Sequence, residues 1–158
     1  MTYLGEGGEV SGVFRTGLPT LNMNPETETT ATFVAPGSVT RGEFGLIRWE
    51  MPAGASGAGA HFHRGFSESF YVLSGTMSLF DGEKWTDVSE GGFLYVPAGG
   101  IHGFSNNSDA YASMLILYSP GLPRERFFEE LAAIRGTGRA LTAEEWADLC
   151  ARHDQVNL

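Results

Sequence analysis

Alternating apolar and polar positions dominate the middle of this chain, between residues 42 and 119. Apolar residues recur at every second position in short segments, and glycine, proline, asparagine or aspartate follows most of them. A period of two places successive side chains on opposite faces, so the pattern predicts β-strands joined by tight turns. The predicted strands are 44–51, 68–73, 76–80, 85–88, 93–96 and 111–118. Short strands at this regular spacing are typical of a β-sandwich or barrel.

The pattern changes on both sides of this region. Residues 1–40 are interrupted by glycine and proline and include a β-branched stretch at 27–33, which predicts an extended arm. The arm either adds a strand to the barrel or reaches a partner subunit. After residue 120, the apolar spacing becomes helical up to Gly136, and Thr142 with Glu145 has the spacing of a capping box for a second helix. We expect these helices to pack on the outside of the barrel.

Length and composition favour one globular all-β domain over residues 1–158, divided into the arm 1–40, a barrel core 41–120 and C-terminal helices 121–158. The chain has 19 acidic and 10 basic residues and a net charge of −9. This charge disfavours nucleic acid and anionic membranes as partners. The single cysteine and the polar N-terminal segment predict a reducing compartment and a cytoplasmic location.

Three of the four histidines lie in two short segments that carry candidate metal chemistry. His61 and His63 flank Phe62, so both imidazoles face the same side of an extended segment, and Glu68 follows after a short turn. His102 ends a glycine-rich turn from a distant part of the chain. Three imidazoles and one carboxylate suit one divalent transition metal: Fe, Ni, Mn, Co, Cu or Zn. Four protein ligands leave open positions for a substrate. A purely structural ion is the alternative, as is a hydrogen-bonded polar cluster without an ion.

The spacing around these residues resembles the two sequence motifs of the cupin family. The first motif is His-x-His, four residues, Glu, six residues and Gly, and it matches His61, His63, Glu68 and Gly75. The glycine expected six residues before His61 is Ala55. The resemblance covers residues 42–120.

The second cupin motif is Gly, five residues, Pro-x-Gly, two residues, His, three residues and Asn. It is matched in full by Gly91, Pro97, Gly99, His102 and Asn106. From its residue type alone, Asn106 is interpreted as a turn former.

The resemblance implies a cupin double-stranded β-helix, a jelly-roll barrel. In cupins the matched residues ligate a metal, which implies His61, His63, Glu68 and His102 as ligands here. The segments 3–5 and 120–131 are similar to single-domain bacterial cupins, or monocupins, of the quercetin-dioxygenase-like type. The resemblance to quercetin dioxygenases also implies that Glu68 acts as a catalytic base.

Eight further residues are candidates for the wall of a substrate pocket. Six apolar residues have the parity to line the barrel interior, although simple core filling explains most of them: Phe70, Val72, Phe104, Met114, Ile116 and Tyr118. Arg48 and Glu50 share one face of the strand 44–51 and either orient a polar substrate group or face solvent.

These features favour a metal-dependent dioxygenase that acts on a small aromatic or enolic substrate. One alternative is a non-redox metal enzyme, such as an isomerase, lyase or polyketide cyclase. Another is a small-molecule binding or sensory module. The expected partners are a small organic substrate and a second copy of the chain, since an extended arm and an edge strand favour a homodimer.

Overall fold

The structure, a computed structural model, describes residues 2–158. The elements in chain order are β1 (Thr20–Asn24), β2 (Thr29–Ala35), β3 (Gly45–Met51), β4 (His61–Phe62), β5 (Ser67–Ser74), β6 (Thr76–Phe80), β7 (Trp85–Ser89), β8 (Phe93–Val96), β9 (Gly103–Ser105), β10 (Ala112–Ser119), α1 (Glu125–Gly136), α2 (Ala143–Arg152) and β11 (Val156–Asn157). No helix of this part of the chain is both long and apolar enough to cross a bilayer.

Two antiparallel sheets face each other around one core. The larger sheet has the strand order β1-β2-β3-β10-β5-β8, and the smaller has the order β7-β6-β9. The ring centroid of Phe104 in β9 lies 5.3 Å from that of Trp49 in β3 and 6.2 Å from that of Phe70 in β5. Aromatic side chains therefore join the two sheets, and the predicted all-β jelly roll is confirmed.

The inner face of the larger sheet is apolar across several strands. In β3, Ile47 and Trp49 are buried, whereas Arg48 between them is only partly buried. Ile47 lies opposite Ile116 of β10, and Ile116 lies opposite Phe70 of β5. Because alternate residues of each strand face the same way, this register joins the buried side chains into one continuous layer.

All six strands predicted from the alternating pattern form, and each end lies within one residue of its predicted position. The sequence pattern did not predict β4, β9 and β11, which have only two or three residues each. Such short strands are stabilised by pairing with other strands. Strand β11 pairs with β4, and β9 pairs with β6. The pairing of β4 with β11 returns the C-terminal end of the chain to the histidine motif.

Of the two possibilities for the arm 1–40, the structure shows an addition to the barrel for β1 and β2. These strands pair with each other, and β2 pairs with β3, so the larger sheet starts before the predicted boundary at residue 40. Residues 2–19 form no helix or strand and are mostly exposed, including the apolar side chains of Leu4, Val10 and Phe14.

Both predicted helices form, but their predicted position on the outside of the barrel is wrong. The ring of Phe128 in α1 lies 5.7 Å from that of Trp49 and 6.4 Å from that of Phe33, both on the inner face of the larger sheet. The predicted capping box of α2 is present, with Thr142 and Glu145 each accepting a hydrogen bond from the other's backbone. The helices therefore cover an opening of the barrel rather than its outer surface.

Candidate metal centre

Two pieces of backbone bring the four candidate ligands together. His61 lies in β4, His63 directly after it, and Glu68 is the second residue of β5. His102 lies between β8 and β9, and its backbone pairs with that of His61 through hydrogen bonds of 3.0 and 2.9 Å. The two motifs, about 40 residues apart in sequence, thus meet through one antiparallel bridge.

A glycine turn fixes the approach of His102. Gly99 has a φ of +81°, a backbone conformation that side chains with a Cβ rarely adopt. Its N–H donates to the carbonyl of His63 over 2.6 Å. The turn of the second motif is therefore bonded directly to the histidine segment of the first.

The four side chains surround one point inside the barrel. Each of them offers one ligand atom, and these atoms all lie within 4.8 Å of one another. His61, His63, Glu68 and His102 are each at most 7% exposed. The structure therefore brings together all four residues that the sequence predicts as ligands.

The hydrogen bonds of the imidazole rings define their tautomers. Nδ1 of His61 lies 2.7 Å from the carbonyl of Gly59, and Nδ1 of His63 lies 2.5 Å from that of Asp154. Nδ1 of His102 lies 3.0 Å from a third carbonyl. Because a carbonyl oxygen only accepts, each Nδ1 carries a proton, and a ring that is neutral therefore has its lone pair on Nε2. Metal-binding histidines commonly have this arrangement.

The Nε2 atoms are poorly satisfied without a cation. Nε2 of His63 is buried and has no hydrogen-bond partner. Nε2 of His102 lies 2.9 Å from Oε2 of Glu68, a hydrogen bond that requires a proton on this nitrogen. Burying such groups without a partner is unfavourable. One divalent ion among them supplies a partner for Nε2 of His63 and replaces the proton between His102 and Glu68, and the donor set fits Fe, Ni, Mn, Co, Cu or Zn.

The electrostatics favour the ligating protonation states. Burial lowers the pKa of both His61 and His63 to about 4, because charged rings would lose their hydration. Burial raises the pKa of Glu68, but the hydrogen bond with His102 and the nearby charges of His63, His102 and Arg124 outweigh it and hold that pKa at about 2. At neutral pH, His61 and His63 are therefore neutral and Glu68 is ionised, as metal binding requires.

The C-terminal segment holds the histidine loop from outside. The carboxylate of Asp154 accepts hydrogen bonds from the backbone N–H groups of Arg64 and Gly65 at 2.7 to 3.1 Å. The carbonyl of Asp154 accepts from Nδ1 of His63, as described above. Asp154 thus fixes both the loop and the orientation of one candidate ligand.

A cavity of about 120 Å³ adjoins the four residues. His61 and Glu68 form part of its wall, together with Trp49 of the larger sheet, Phe104 of the smaller sheet and Phe128 of α1. Its wall is mostly apolar, and the helices α1 and α2 enclose one side. An apolar chamber with a few polar groups beside a metal site is typical of a small-molecule pocket.

The structure separates the six apolar residues predicted for the pocket wall into two groups. Phe104 and Ile116 line the cavity. The others are buried core side chains that do not line it: Phe70, Val72, Met114 and Tyr118. Phe70 still supports the centre, since its ring lies 5.7 Å from that of His102.

Arg48 and Glu50 do not line the cavity, and the interpretation of these residues as substrate contacts is wrong. Both side chains leave β3 on the face opposite to Trp49, and Arg48 is 42% exposed. Oε1 of Glu50 accepts a hydrogen bond from the hydroxyl of Tyr111 at 2.7 Å, and Nη2 of Arg48 lies 3.6 Å from Oε2 of Glu50. They form a polar cluster on the outer face of the larger sheet.

Sequence reasoning missed the part of the cavity wall that α1, α2 and β11 supply. Phe127, Phe128, Leu131 and Trp146 face the cavity, and Arg124 lies beside them just before α1. The helical spacing of the apolar residues showed which face of α1 is buried. It carried no information about which surface that face covers.

Asn106 has a larger role than a turn former. It is fully buried, and its amide nitrogen donates to the carbonyls of Met51, Pro52 and Ala110 over 2.8 to 3.0 Å. Its side-chain oxygen accepts from Ser108, which is the local turn contact. Asn106 therefore joins the end of β3 to the segment before β10.

The model of the cupin domain family matches residues 47–118. Quercetin 2,3-dioxygenase of Bacillus subtilis (strain 168) is 34% identical to this chain over 98 residues, which are 62% of this chain and 28% of that enzyme. The match thus spans less than a third of the length of the dioxygenase.

Solved structures give the same fold. A polyketide cyclase RemF of Streptomyces resistomycificus superposes with a TM-score of 0.56 and 24% identity, over 68% of this chain and 78% of the cyclase. An RmlC-like cupin of Shewanella frigidimarina NCIMB 400 superposes with a TM-score of 0.58 and 19% identity, over 73% of this chain and 93% of that protein. Residues 47–118, which contain all four candidate metal ligands, therefore match a cupin domain by sequence, and the chain shares the fold of these solved structures.

Proposed function

We propose that this protein is a metal-dependent dioxygenase that acts on a small aromatic or enolic substrate. The observation that carries the proposal is the set of three Nε2 atoms and one carboxylate that converge beside an apolar cavity. The similarity to a quercetin 2,3-dioxygenase supports oxidative chemistry over the alternatives. The bound ion supplies a Lewis acid for a substrate oxygen and the redox partner for dioxygen.

The residues of the chain have separate roles in this proposal. His61, His63, Glu68 and His102 hold the ion. Glu68 also accepts the proton of the substrate hydroxyl at Oε1, the oxygen that lies 3.8 Å from Nε2 of His63 and does not contact His102. Its low pKa keeps the carboxylate ionised at neutral pH, so Oε1 carries no proton before the substrate binds. The apolar wall orients the ring or enol and excludes water.

The proposal is tested with protein purified without a metal-affinity tag and loaded separately with Fe, Ni, Mn, Co, Cu or Zn. We expect one equivalent of metal and oxygen consumption with at least one compound from a panel of flavonols, enediols and enolic or phenolic acids, measured with an oxygen electrode. His61→Ala and His102→Ala should lose the metal and the activity. His153→Gln should keep both, because the ring of His153 pairs with Glu130 outside the cluster. Folded protein that binds none of these metals contradicts the proposal.

A second candidate function is a non-redox isomerase, lyase or polyketide cyclase. The same ligand set accepts zinc, which has no redox chemistry but polarises carbonyl groups. Substrate turnover by the zinc-loaded protein without oxygen consumption supports this candidate. Tight ligand binding without any turnover supports a binding or sensory module.

We also infer that the protein is a cytoplasmic homodimer. The cytoplasmic location rests on the single cysteine, Cys150, which is free and buried. The dimer rests on the exposed aromatic residues Phe93 and Tyr95 of β8, an edge strand of the larger sheet.

A further inference from the structure

The cavity contains a buried cation that the proposed reaction does not use. Arg124 is 4% exposed and lines the same cavity as Glu68. Its guanidinium carbon lies 4.5 Å from the ring centroid of Phe127 and 5.3 Å from those of Phe66 and Phe128. Aromatic rings therefore hold the guanidinium in place, as cation–π contacts do.

Only some of the N–H donors of this guanidinium have hydrogen-bond acceptors in the protein. Nη1 donates to the carbonyl of His153 over 2.7 Å, and Nη2 donates to Oε1 of Gln155 over 3.3 Å. Nε is buried and has no hydrogen-bond partner. Within residues 2–158, no carboxylate forms an ion pair with Arg124. A guanidinium has five N–H donors, so three of them, including the enclosed Nε–H, have no acceptor among residues 2–158.

The charges around the cavity favour an anion, although the whole protein is acidic. The charged residues of its wall are Glu68, Arg124 and Arg135. Arg135 donates to the carbonyl of Met23 over 2.8 Å and is held at the edge of α1. When an ion occupies the metal centre, it compensates the charge of Glu68. Arg124 is then a buried cation with no ion-paired carboxylate among residues 2–158, which is unfavourable unless a ligand supplies one.

We propose that the substrate of this site carries a carboxylate, and that the carboxylate binds the guanidinium of Arg124. A planar carboxylate matches the fork of N–H donors on a guanidinium. The cavity of about 120 Å³ is also smaller than the range of about 300–1,000 Å³ usual for drug-sized ligands. These features together select a small enolic or phenolic acid rather than a multi-ring neutral flavonol. The reaction of this acid rests on the function proposed above, whereas its binding is argued from Arg124 itself.

The test measures binding separately from turnover. Zinc-loaded protein is titrated with 2-hydroxybenzoate and with its neutral analogue 2-hydroxybenzamide. Affinities are followed by tryptophan fluorescence, because Trp49 and Trp146 line the cavity, and by calorimetry. We expect the carboxylate to bind the wild-type protein about 10-fold to 100-fold more tightly than the amide, the range usual for hydrogen bonds to charged groups. Equal affinities for the two compounds overturn the inference without any variant.

Three variants assign the preference to one residue. Arg124→Gln should reduce the preference to less than about 3-fold, and Arg124→Lys should keep part of it through its charge without the fork. Arg126→Gln is the matched control, because Arg126 is exposed, lies two residues further along the chain and does not line the cavity. A full preference in folded Arg124→Gln overturns the role of Arg124.

The outcomes also distinguish the two proposals. Oxygen consumption with neutral substrates, together with equal binding of acid and amide, contradicts the carboxylate and leaves the dioxygenase intact. Arg124-dependent binding of carboxylates without oxygen consumption with any loaded metal contradicts the dioxygenase and leaves the carboxylate site intact.

Discussion

Asp154 shows how a residue far from the ligands in sequence orients one of them. The backbone of Asp154 is in the left-handed region, with a φ of +53°. Its carbonyl accepts a hydrogen bond from Nδ1 of His63, and its carboxylate accepts hydrogen bonds from the loop after His63. When a group that orients a metal ligand by hydrogen bonding is altered, the metal affinity typically changes by about 10-fold to 100-fold. We expect Asp154→Ala to weaken zinc binding by about this factor, measured by competition with a chelator.

Two controls accompany the Asp154 variant. Asp154→Asn should bind zinc more tightly than Asp154→Ala, because asparagine tolerates the left-handed conformation and keeps one side-chain acceptor. Asp148→Ala should leave the affinity unchanged, since Asp148 is an exposed residue of α2 that pairs only with Arg152. An unchanged affinity in Asp154→Ala would show that backbone contacts alone hold His63.

At the scale of single residues, the sequence was informative where the spacing of residues determines which side chains come together. His61, His63, Glu68 and His102 could be predicted because alternation and motif spacing fix which side chains converge. Arg124 could not, because nothing in its neighbours shows that α1 returns to the barrel. Its role depends on three aromatic rings and on acceptors some 30 residues further along the chain.

At the scale of elements, α2 connects the helical cover of the cavity to β11. Thr142 starts the helix, and its hydroxyl accepts from the backbone of Glu145 over 3.2 Å. Removal of such a cap costs about 1 kcal/mol. We expect Thr142→Ala to lower the free energy of unfolding in urea by about this amount and to speed amide exchange in α2. Leu149 and Cys150 of α2 are buried, so the loss should reach global stability.

Thr137→Ala is the matched control for the cap. Thr137 follows α1, and its hydroxyl donates to the carbonyl of Ile134. The Thr137→Ala substitution leaves the N-terminal cap of α2 in place, so amide exchange in α2 should remain as in the wild type. Equal effects of the two variants on α2 would contradict a specific role for the capping box.

The elements also show which structural information the sequence lacks. The six strands of the barrel core follow from local alternation, and the end of α1 at Gly136 and the start of α2 after Thr142 follow from spacing and capping. The short strands β4, β9 and β11 depend on pairing with distant segments, which local propensity does not encode. The amphipathic pattern of α1 showed a buried face, but the partner of that face is decided by packing against Trp49 and Phe33.

At the scale of the whole molecule, exposed aromatic residues mark one edge of the larger sheet. β8 is the edge strand, and Phe93 and Tyr95 on its outer face are 62% and 57% exposed. Tyr71 and Leu73 of β5 project from the same face, and Tyr71 lies opposite Phe93. An apolar patch at a sheet edge favours association with a second copy.

We expect the wild-type protein to sediment as a dimer and the double variant Phe93→Glu, Tyr95→Glu to sediment as a monomer. Introduced charges oppose burial of this face in an interface. Trp85→Gln is the control, because Trp85 is an exposed aromatic residue on the edge of the other sheet. A dimer that persists in the double variant but dissociates in Trp85→Gln would place the interface on the smaller sheet.

The stability of the metal-free protein should fall when the pH is lowered from 6.5 toward 4. The pKa of His61 and of His63 is about 4 in the folded protein, against 6.5 for an unperturbed histidine. In this interval the unfolded chain binds protons that the folded chain does not, so acid favours unfolding. Each such proton contributes a slope of about 1.4 kcal/mol per pH unit. The contribution of the two histidines to this loss is complete near pH 4, where their rings bind the same protons in the folded protein.

Urea unfolding in the presence of a chelator, repeated between pH 4 and 7.5, measures this slope directly. His61→Gln should reduce it by about one proton, because one of the two buried imidazoles is gone. Phe62→Leu changes the same strand without removing a titrating group, so it should keep the slope of the wild type even if it is less stable. Saturating zinc should raise stability at pH 7, since the ion binds only the assembled ligands of the folded state. A flat profile between pH 6.5 and 4 would mean that the imidazoles take up protons in the folded chain. That outcome contradicts a preformed set of neutral ligands and favours a centre that assembles only when the ion binds.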